Sequence, residues 1–150
     1  MPQKRCVYIP EGSNPLQEKF INYIMKQGKK NVARKIFKDT LAIIGKTDKA
    51  PEKLFEAAID NIKPAVEVRA KRIGGAVYQI PVEVKPERQL MLAFRWILGA
   101  ARSKRNAPMA KKLASELMLA MNNEGAAIKK KEDTIKMAQA NKAFAHYAKY

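Results

Sequence analysis

The chain has 150 residues, of which 47% are hydrophobic, enough for one domain with a modest core and too many for a disordered basic tail. Its 30 Lys and Arg against 14 Asp and Glu leave a formal charge of +16. Such an excess repels itself in a compact chain, and a polyanion, nucleic acid first, is the partner that neutralises it. The single Cys6 and single His146 exclude an internal disulfide and a cysteine metal cluster.

The basic excess is shared evenly by the two halves of the sequence, so it belongs to the whole body. No apolar run reaches the roughly 18 residues of a membrane span. No helix pattern joins a broad apolar face to low core content, as an interfacial membrane helix would. Met1 to Pro10 lacks the apolar segment of a secretory leader, so the expected setting is a reducing cytoplasm or an organelle matrix.

In chain order, residues 1–13 have no clear period and read as a flexible basic arm carrying Lys4 and Arg5. Asn14, Pro15 and Gln17 predict a helix start, with Asn14 as N-cap and Gln17 closing a capping-box-like turn. Leu16, Phe20, Tyr23 and Ile24 form the apolar face of this helix, and Gly28 is the expected stop. A second helix is predicted over Lys30 to Ile44, with Ala33, Ile36, Phe37, Leu41 and Ile44 inward and Gly45 at its end. Pro51 opens a third, with Leu54, Phe55, Ala58, Ile59 and Ile62 inward, ended by Pro64.

Residues 66–84 change period from helical to alternating and predict a two-stranded antiparallel β-ribbon. Facing the apolar rows sets Val66 opposite Val84, Val68 opposite Val82, Ala70 opposite Ile80 and Arg72 opposite Tyr78. Gly74, Gly75 and Ala76 are then the loop. This register also opposes Glu67 to Glu83, a mildly repulsive pair. A lone ribbon is unstable, so it must root on helices.

Pro86 opens a fourth helix through Leu90, Phe94, Ile97 and Ala101. A fifth begins near Pro108, runs through Leu113, Leu117 and Met121, and is expected to stop at Gly125. A C-terminal helix is assigned within 128–150, running from about Glu132; its period is the weakest because alanines dominate, and it is expected to be partly exposed or docked on a partner. The predicted fold class is mostly α: a single domain, 1–150, of about six helices, with one protruding two-stranded antiparallel β-ribbon between the third and fourth helices.

Two long stretches are free of acids. Residues 26–38 carry Lys26, Lys29, Lys30, Arg34, Lys35 and Lys38, and residues 88–115 carry Arg88, Arg95, Arg102, Lys104, Arg105, Lys111 and Lys112. Arg88, Arg95 and Arg102 are seven apart and make one stripe along a helix, about 10 Å between successive residues. A merely solvated face interleaves acids at i and i+4, and these stretches do not, so phosphate contact is the expectation. Lys46, Lys49 and Lys53, with Asp48 and Glu52 among them, read as a solvated face. Arg69, Lys71, Arg72, Tyr78 and Gln79 give the ribbon a basic, aromatic-bearing outer half, and for Tyr78 base stacking and packing are equally open. Trp96, beside Ile97 and Leu98, reads as core. Met91, Met109, Met118, Met121 and Met137 read as core or partner surface.

Enzyme signatures are missing. Gly45-Lys46-Thr47 has the end of a phosphate loop, but the motif's earlier glycine position holds Thr40. No paired-carboxylate or His-rich cluster suggests hydrolysis, and no cofactor or small-molecule substrate is predicted.

The segment from Arg69 to Val84, RAKRIGGAVYQIPVEV, resembles the ribbon of the ribosomal small-subunit protein seven family, bacterial or organellar type. So do Lys129–Thr134, Met137–Tyr147, Asp60–Val68 and Phe94–Ile97, and the resemblance extends over nearly the whole chain from Asn14. It implies a helical body with a protruding ribbon. It implies a non-enzymatic constituent of the small ribosomal subunit that is a primary binder of the 3′ major (head) domain of its rRNA and helps nucleate head assembly. By that resemblance Lys4, Arg5, Lys29, Lys30, Arg34, Lys35 and the Arg88–Arg102 stripe grip rRNA. The ribbon around Arg72, Gly74, Gly75, Tyr78 and Gln79, with Lys142 and His146 of the last helix, faces exit-site tRNA and mRNA. The eleventh small-subunit protein is an implied neighbour. The competing readings are an architectural DNA-binding protein with a β-arm, whose tip here has no wedge to insert, and an RNA-processing enzyme, which would need Cys6 or His146.

Overall fold

A computed structural model of the chain describes residues 14–47 and 49–149. The basic arm, with Lys4, Arg5 and Cys6, lies outside the described residues. The helices are α1 (Pro15–Ile24), α2 (Lys30–Ile44), α3 (Pro51–Ile62), α4 (Pro86–Ser103), α5 (Met109–Met121) and α6 (Ala126–Ala140), followed by a 3-10 helix, η1 (Lys142–Lys149). Strands β1 (Val66–Ile73) and β2 (Ala76–Glu83) form an antiparallel hairpin between α3 and α4. The predicted class is borne out.

One phenylalanine from each of the first four helices builds the centre. Phe20 of α1 meets Phe37 of α2 at 5.8 Å between ring centroids, Phe55 of α3 at 5.0 Å and Phe94 of α4 at 4.9 Å. The rings are tilted or edge-on, the arrangement their quadrupoles favour. Helix α5 packs against α2, α3, α4 and α6. Its buried Ala110, Ala114 and Ala120 allow close approach, while Leu113 and Leu117 fill the space between. Trp96 packs against this core, as its sequence neighbours predicted.

Helix boundaries follow local chemistry. Pro15, Pro51 and Pro86 each occupy the first turn, where the missing N–H costs nothing. Asn14 caps α1, but its side chain accepts from the N–H of Leu16 at 3.0 Å rather than from Gln17, so the predicted box is not closed. The first helix ends at Ile24, before Gly28. The chain turns earlier because Met25 is already extended, and Gln27 and Gly28 adopt φ of 53° and 72°.

The C-terminal part departs most from expectation. Helix α5 ends at Met121, and a left-handed Asn123 (φ 58°) with Gly125 (φ 99°) turns the chain into α6 at Ala126. Gly125 therefore starts a helix rather than stopping one. A Cβ there would also sit 3.2 Å from a carboxylate oxygen of Glu116. The helix assigned within 128–150 is two elements. Asn141 breaks it, its side-chain amide donating to the Met137 carbonyl at 2.8 Å. Helix α6 packs against α3, α4, α5 and both strands, and η1 packs against β2. The last helix thus docks on the chain's own body and hairpin.

The hairpin register is one residue away from the predicted one. Val66 pairs with Glu83, Val68 with Pro81, Arg69 with Ile80, Ala70 with Gln79, Lys71 with Tyr78, Arg72 with Val77 and Ile73 with Ala76. The loop is Gly74-Gly75 alone, both at positive φ (57° and 88°). Two such residues make the two-residue turn whose twist matches that of the strands, and this overrides the matching of apolar rows. Ala76 joins β2, and Glu67 faces Val82, so the repulsive Glu67–Glu83 pair is avoided. Ile80 and Val84 are buried where the hairpin meets the body.

Candidate nucleic-acid interface

Buried carboxylates divide the basic residues into two groups. Glu18 on α1, 2% exposed, receives Lys30 at 3.2 Å and Arg34 at 3.1 Å, both from α2. Burial pushes its carboxyl up, but hydrogen bonds from Arg34 and then Lys30 outweigh this and hold it below the ordinary carboxylate range. Glu67 on β1 receives Arg88 of α4 at 2.8 Å and its strand neighbour Arg69 at 2.7 Å. Here too burial raises the carboxyl, and Arg88 and Arg69 together bring it below the ordinary range. Glu116 on α5 pairs with Lys104 at 2.8 Å, and Lys104 also donates to the Ser115 hydroxyl at 3.0 Å.

Arg102 uses its guanidinium differently. Its Nη2 donates to the carbonyls of Tyr23 and Ile24 at 3.3 and 3.4 Å, tying the end of α4 to the end of α1. The predicted stripe is therefore not uniform. Arg88 anchors the hairpin, Arg102 closes the carbonyl end of α1, and Arg95 is exposed with neither an ion pair nor such a carbonyl contact among the described residues.

The second group consists of cations with no ion pair among the described residues. Lys26, Lys29, Lys35 and Lys38 lie on or beside α2, and all are exposed. Arg105, Lys111 and Lys112 surround the start of α5. Arg72, at the hairpin tip, is exposed, and Lys71 is half-buried. Acids are scarce along the sequence where these cations stand, and Glu18, Glu67 and Glu116 are buried inside the fold. The pairing takes up Lys30, Arg34, Arg69, Arg88 and Lys104 and leaves the other cations to face outward.

The hairpin's two faces differ. Tyr78 lies half-buried, its ring 5.2 Å from that of Phe144 and 5.8 Å from that of Tyr147, both on η1. Of the two readings open for Tyr78, packing is the one in this structure. Gly74, Gly75, Gln79, Arg72 and Val77 remain exposed, Val77 to 64%. Lys142 and His146 are exposed on η1, the element that carries the Tyr78 contact. The His146 Nδ1 lies 2.9 Å from the Ala143 carbonyl, a contact that requires the proton on Nδ1.

The sequence-predicted residues are thus brought together in part. Arg72, Gly74, Gly75 and Gln79 sit at or near the tip, next to η1. Lys26, Lys29, Lys35 and Lys38 lie around the start and outer face of α2. What sequence reasoning missed is the buried acids: Glu18, Glu67 and Glu116 are partners from distant segments, and nothing local marks them. Among the described residues there is no group of His, Cys, Asp and Glu able to hold a metal ion, and no helix is long and apolar enough to cross a membrane.

Comparison with known proteins is consistent over nearly the whole chain. A protein of a Nitratiruptor species is 56% identical over 148 residues, covering 97% of this chain and 95% of that one. One of Clostridium novyi is 51% identical over 147 residues, covering 97% and 94%. One of Nitratidesulfovibrio vulgaris is 48% identical over 148 residues, covering 98% and 95%. All three are described as small ribosomal subunit protein uS7. The sequence model for ribosomal protein S7p/S5e matches residues 1–142, and with these relatives it makes the chain a member of the ribosomal protein S7p/S5e family.

Proposed function

We propose that this protein is a primary binder of the 3′ major (head) domain of small-subunit rRNA and helps nucleate assembly of the subunit head. As a member of a ribosomal protein family it is a structural protein rather than an enzyme, in keeping with the absence of catalytic motifs in its sequence. The observation that carries the reading is the sorting of charge. The buried acids consume Lys30, Arg34, Arg69, Arg88 and Lys104 as internal struts, and Lys26, Lys29, Lys35, Lys38, Arg95, Arg105, Lys111 and Lys112 are left without acidic partners among the described residues. Such a surface grips phosphates by charge and shape with few base-specific contacts.

In this reading the hairpin tip, with Arg72, Gly74, Gly75 and Gln79, and the adjoining η1, with Lys142 and His146, face exit-site tRNA and mRNA. The packing of Tyr78 on Phe144 and Tyr147 supports a hairpin and η1 that act as one unit. A neighbouring protein of the subunit, the eleventh, would meet that C-terminal end. Lys4 and Arg5 of the arm add further phosphate contacts. The site of action is the ribosome.

The test is stepwise assembly of head-domain rRNA monitored by chemical footprinting. The protein added alone should protect the 3′ major domain, and the remaining head proteins should then bind faster. Unchanged footprints and unchanged binding of the other proteins would reject the assembly role.

A further inference from the structure

A cleft of about 330 Å³ opens where α1 ends and α2 begins. Its walls are the apolar side chains of Ile24, Met25, Val32, Ile36 and Met109. Val32 is 54% exposed, unusual for a β-branched aliphatic residue on a helix that buries its other apolar face. The volume falls within the roughly 300–1,000 Å³ of clefts that take small planar ligands or fragments of larger ones.

The rim has the opposite character. Lys26 and Lys29 stand at the edge, exposed and without an ion pair to any described residue. Arg102 also lines the cleft, and its guanidinium is held by the carbonyls of Tyr23 and Ile24. A planar cation fixed in this way is a surface on which an unstacked base can lie. Gln27, at φ 53°, presents an amide at the lip, where it can donate to or accept from a base edge. A second hollow shares Lys29 and Val32 with the first and is lined further by Gly28, Lys30 and Asn31.

We propose that this cleft receives one unpaired nucleotide of the bound RNA. The base enters the apolar slot against Val32, Ile36 and Met109, and its phosphates lie on Lys26 and Lys29. The proposal deepens the rRNA-binding reading and rests on it. Charge complementarity selects the occupant. An apolar ligand alone leaves Lys26 and Lys29 unused, and a phosphate alone leaves the apolar slot empty. A nucleotide splayed from its stack satisfies both halves, as in recognition of single-stranded RNA loops and bulges.

The test measures binding of a head-domain rRNA fragment across a salt series by wild type and three variants, each checked for helical content. Val32→Phe blocks the slot without altering charge, and should lower affinity about tenfold with an unchanged salt slope. Val32→Ala removes part of the wall without blocking the slot, and should lower affinity by about threefold, less than Val32→Phe, again with an unchanged salt slope. Lys29→Ala removes a phosphate contact and should flatten the salt slope by about one unit. Independently, wild type bound to the fragment carrying 4-thiouridine should crosslink at Met25–Ile36 on irradiation. Wild-type affinity in Val32→Phe, or crosslinks elsewhere only, would overturn the proposal and leave the cleft to another occupant such as a peptide. A wild-type protein with no preference for head rRNA would instead overturn the parent reading, and the cleft assignment with it.

Discussion

Arg88 on α4 donates its Nε–H to both carboxylate oxygens of Glu67 on β1, at 2.9 and 2.8 Å. Glu67 is buried and Arg88 remains 43% exposed, so the pair joins the root of the hairpin to the helix that follows it. An arginine that its spacing marked for phosphate is in this way a strut within the fold. The same division between struts and cations without an ion pair runs through the described residues.

Replacing Arg88 with Ala should loosen the hairpin root while leaving phosphate contacts intact. The partly exposed arginine limits the cost to about 1–2 kcal/mol, several degrees in melting temperature for a domain of this size. The salt slope of RNA binding should not change. Arg95→Ala should do the reverse, with stability within about 0.5 kcal/mol of wild type and a slope flatter by about one unit. Calorimetry and salt-series titrations on both variants check this.

Glu18 and Glu67 make folding depend on acid pH. Both carboxyls titrate below their ordinary value of 4.5, so the unfolded chain takes up protons first as pH falls. Their contribution is complete above 4.5 and is lost as pH drops from there through the lower folded-state values. Glu18→Gln with Glu67→Gln should reduce stability near neutral pH by about 1 kcal/mol per site, screening included, and flatten the acid decline. Urea unfolding at a series of pH values reads both effects. An unchanged acid limb in the double variant would contradict the assignment.

Tyr78 fastens β2 to η1 through Phe144 and Tyr147. Phe144→Ala should remove about 1–2 kcal/mol of local stability, from lost ring contact and burial. Amide exchange should rise in the outer half of the hairpin and in η1, and stay unchanged in α1 to α5. Uniform acceleration across the fold would instead mean that η1 belongs to the global core.

The four-phenylalanine centre should be unforgiving. Phe20 is fully buried against three other rings, and Phe20→Ala should cost about 3–5 kcal/mol. Denaturant unfolding of this variant should show a midpoint much lower than wild type. A loss below about 1 kcal/mol would contradict the packing described.

Most of the body was legible because its signals are local. Pro15, Pro51 and Pro86 mark helix starts, and Phe20, Phe37, Phe55 and Phe94 each sit in the apolar stripe of their own helix, so both boundaries and core followed from the sequence. The hairpin was legible as a hairpin, but its register was not. Apolar matching favoured Val66 opposite Val84, whereas the turn geometry of Gly74 and Gly75 sets Val66 opposite Glu83. The start of α6 was hidden because Ala126 and Ala127 carry no strong period and Gly125 resembled a stop. The pairings of Glu18 with Lys30 and Arg34, of Glu67 with Arg88 and of Glu116 with Lys104 were invisible for a deeper reason: tertiary packing makes them, and an acid-free run of cations does not reveal which of them an acid elsewhere will claim.

The most direct measurement is a competition titration across a salt series. The protein is offered head-domain rRNA, an unrelated structured RNA and duplex DNA of similar length. A binder of head-domain rRNA should show a steep salt dependence on all three and a clear preference for head rRNA that persists as salt rises. Equal affinity for the three, or a preference for duplex DNA, would contradict the head-domain role and leave a general basic binder.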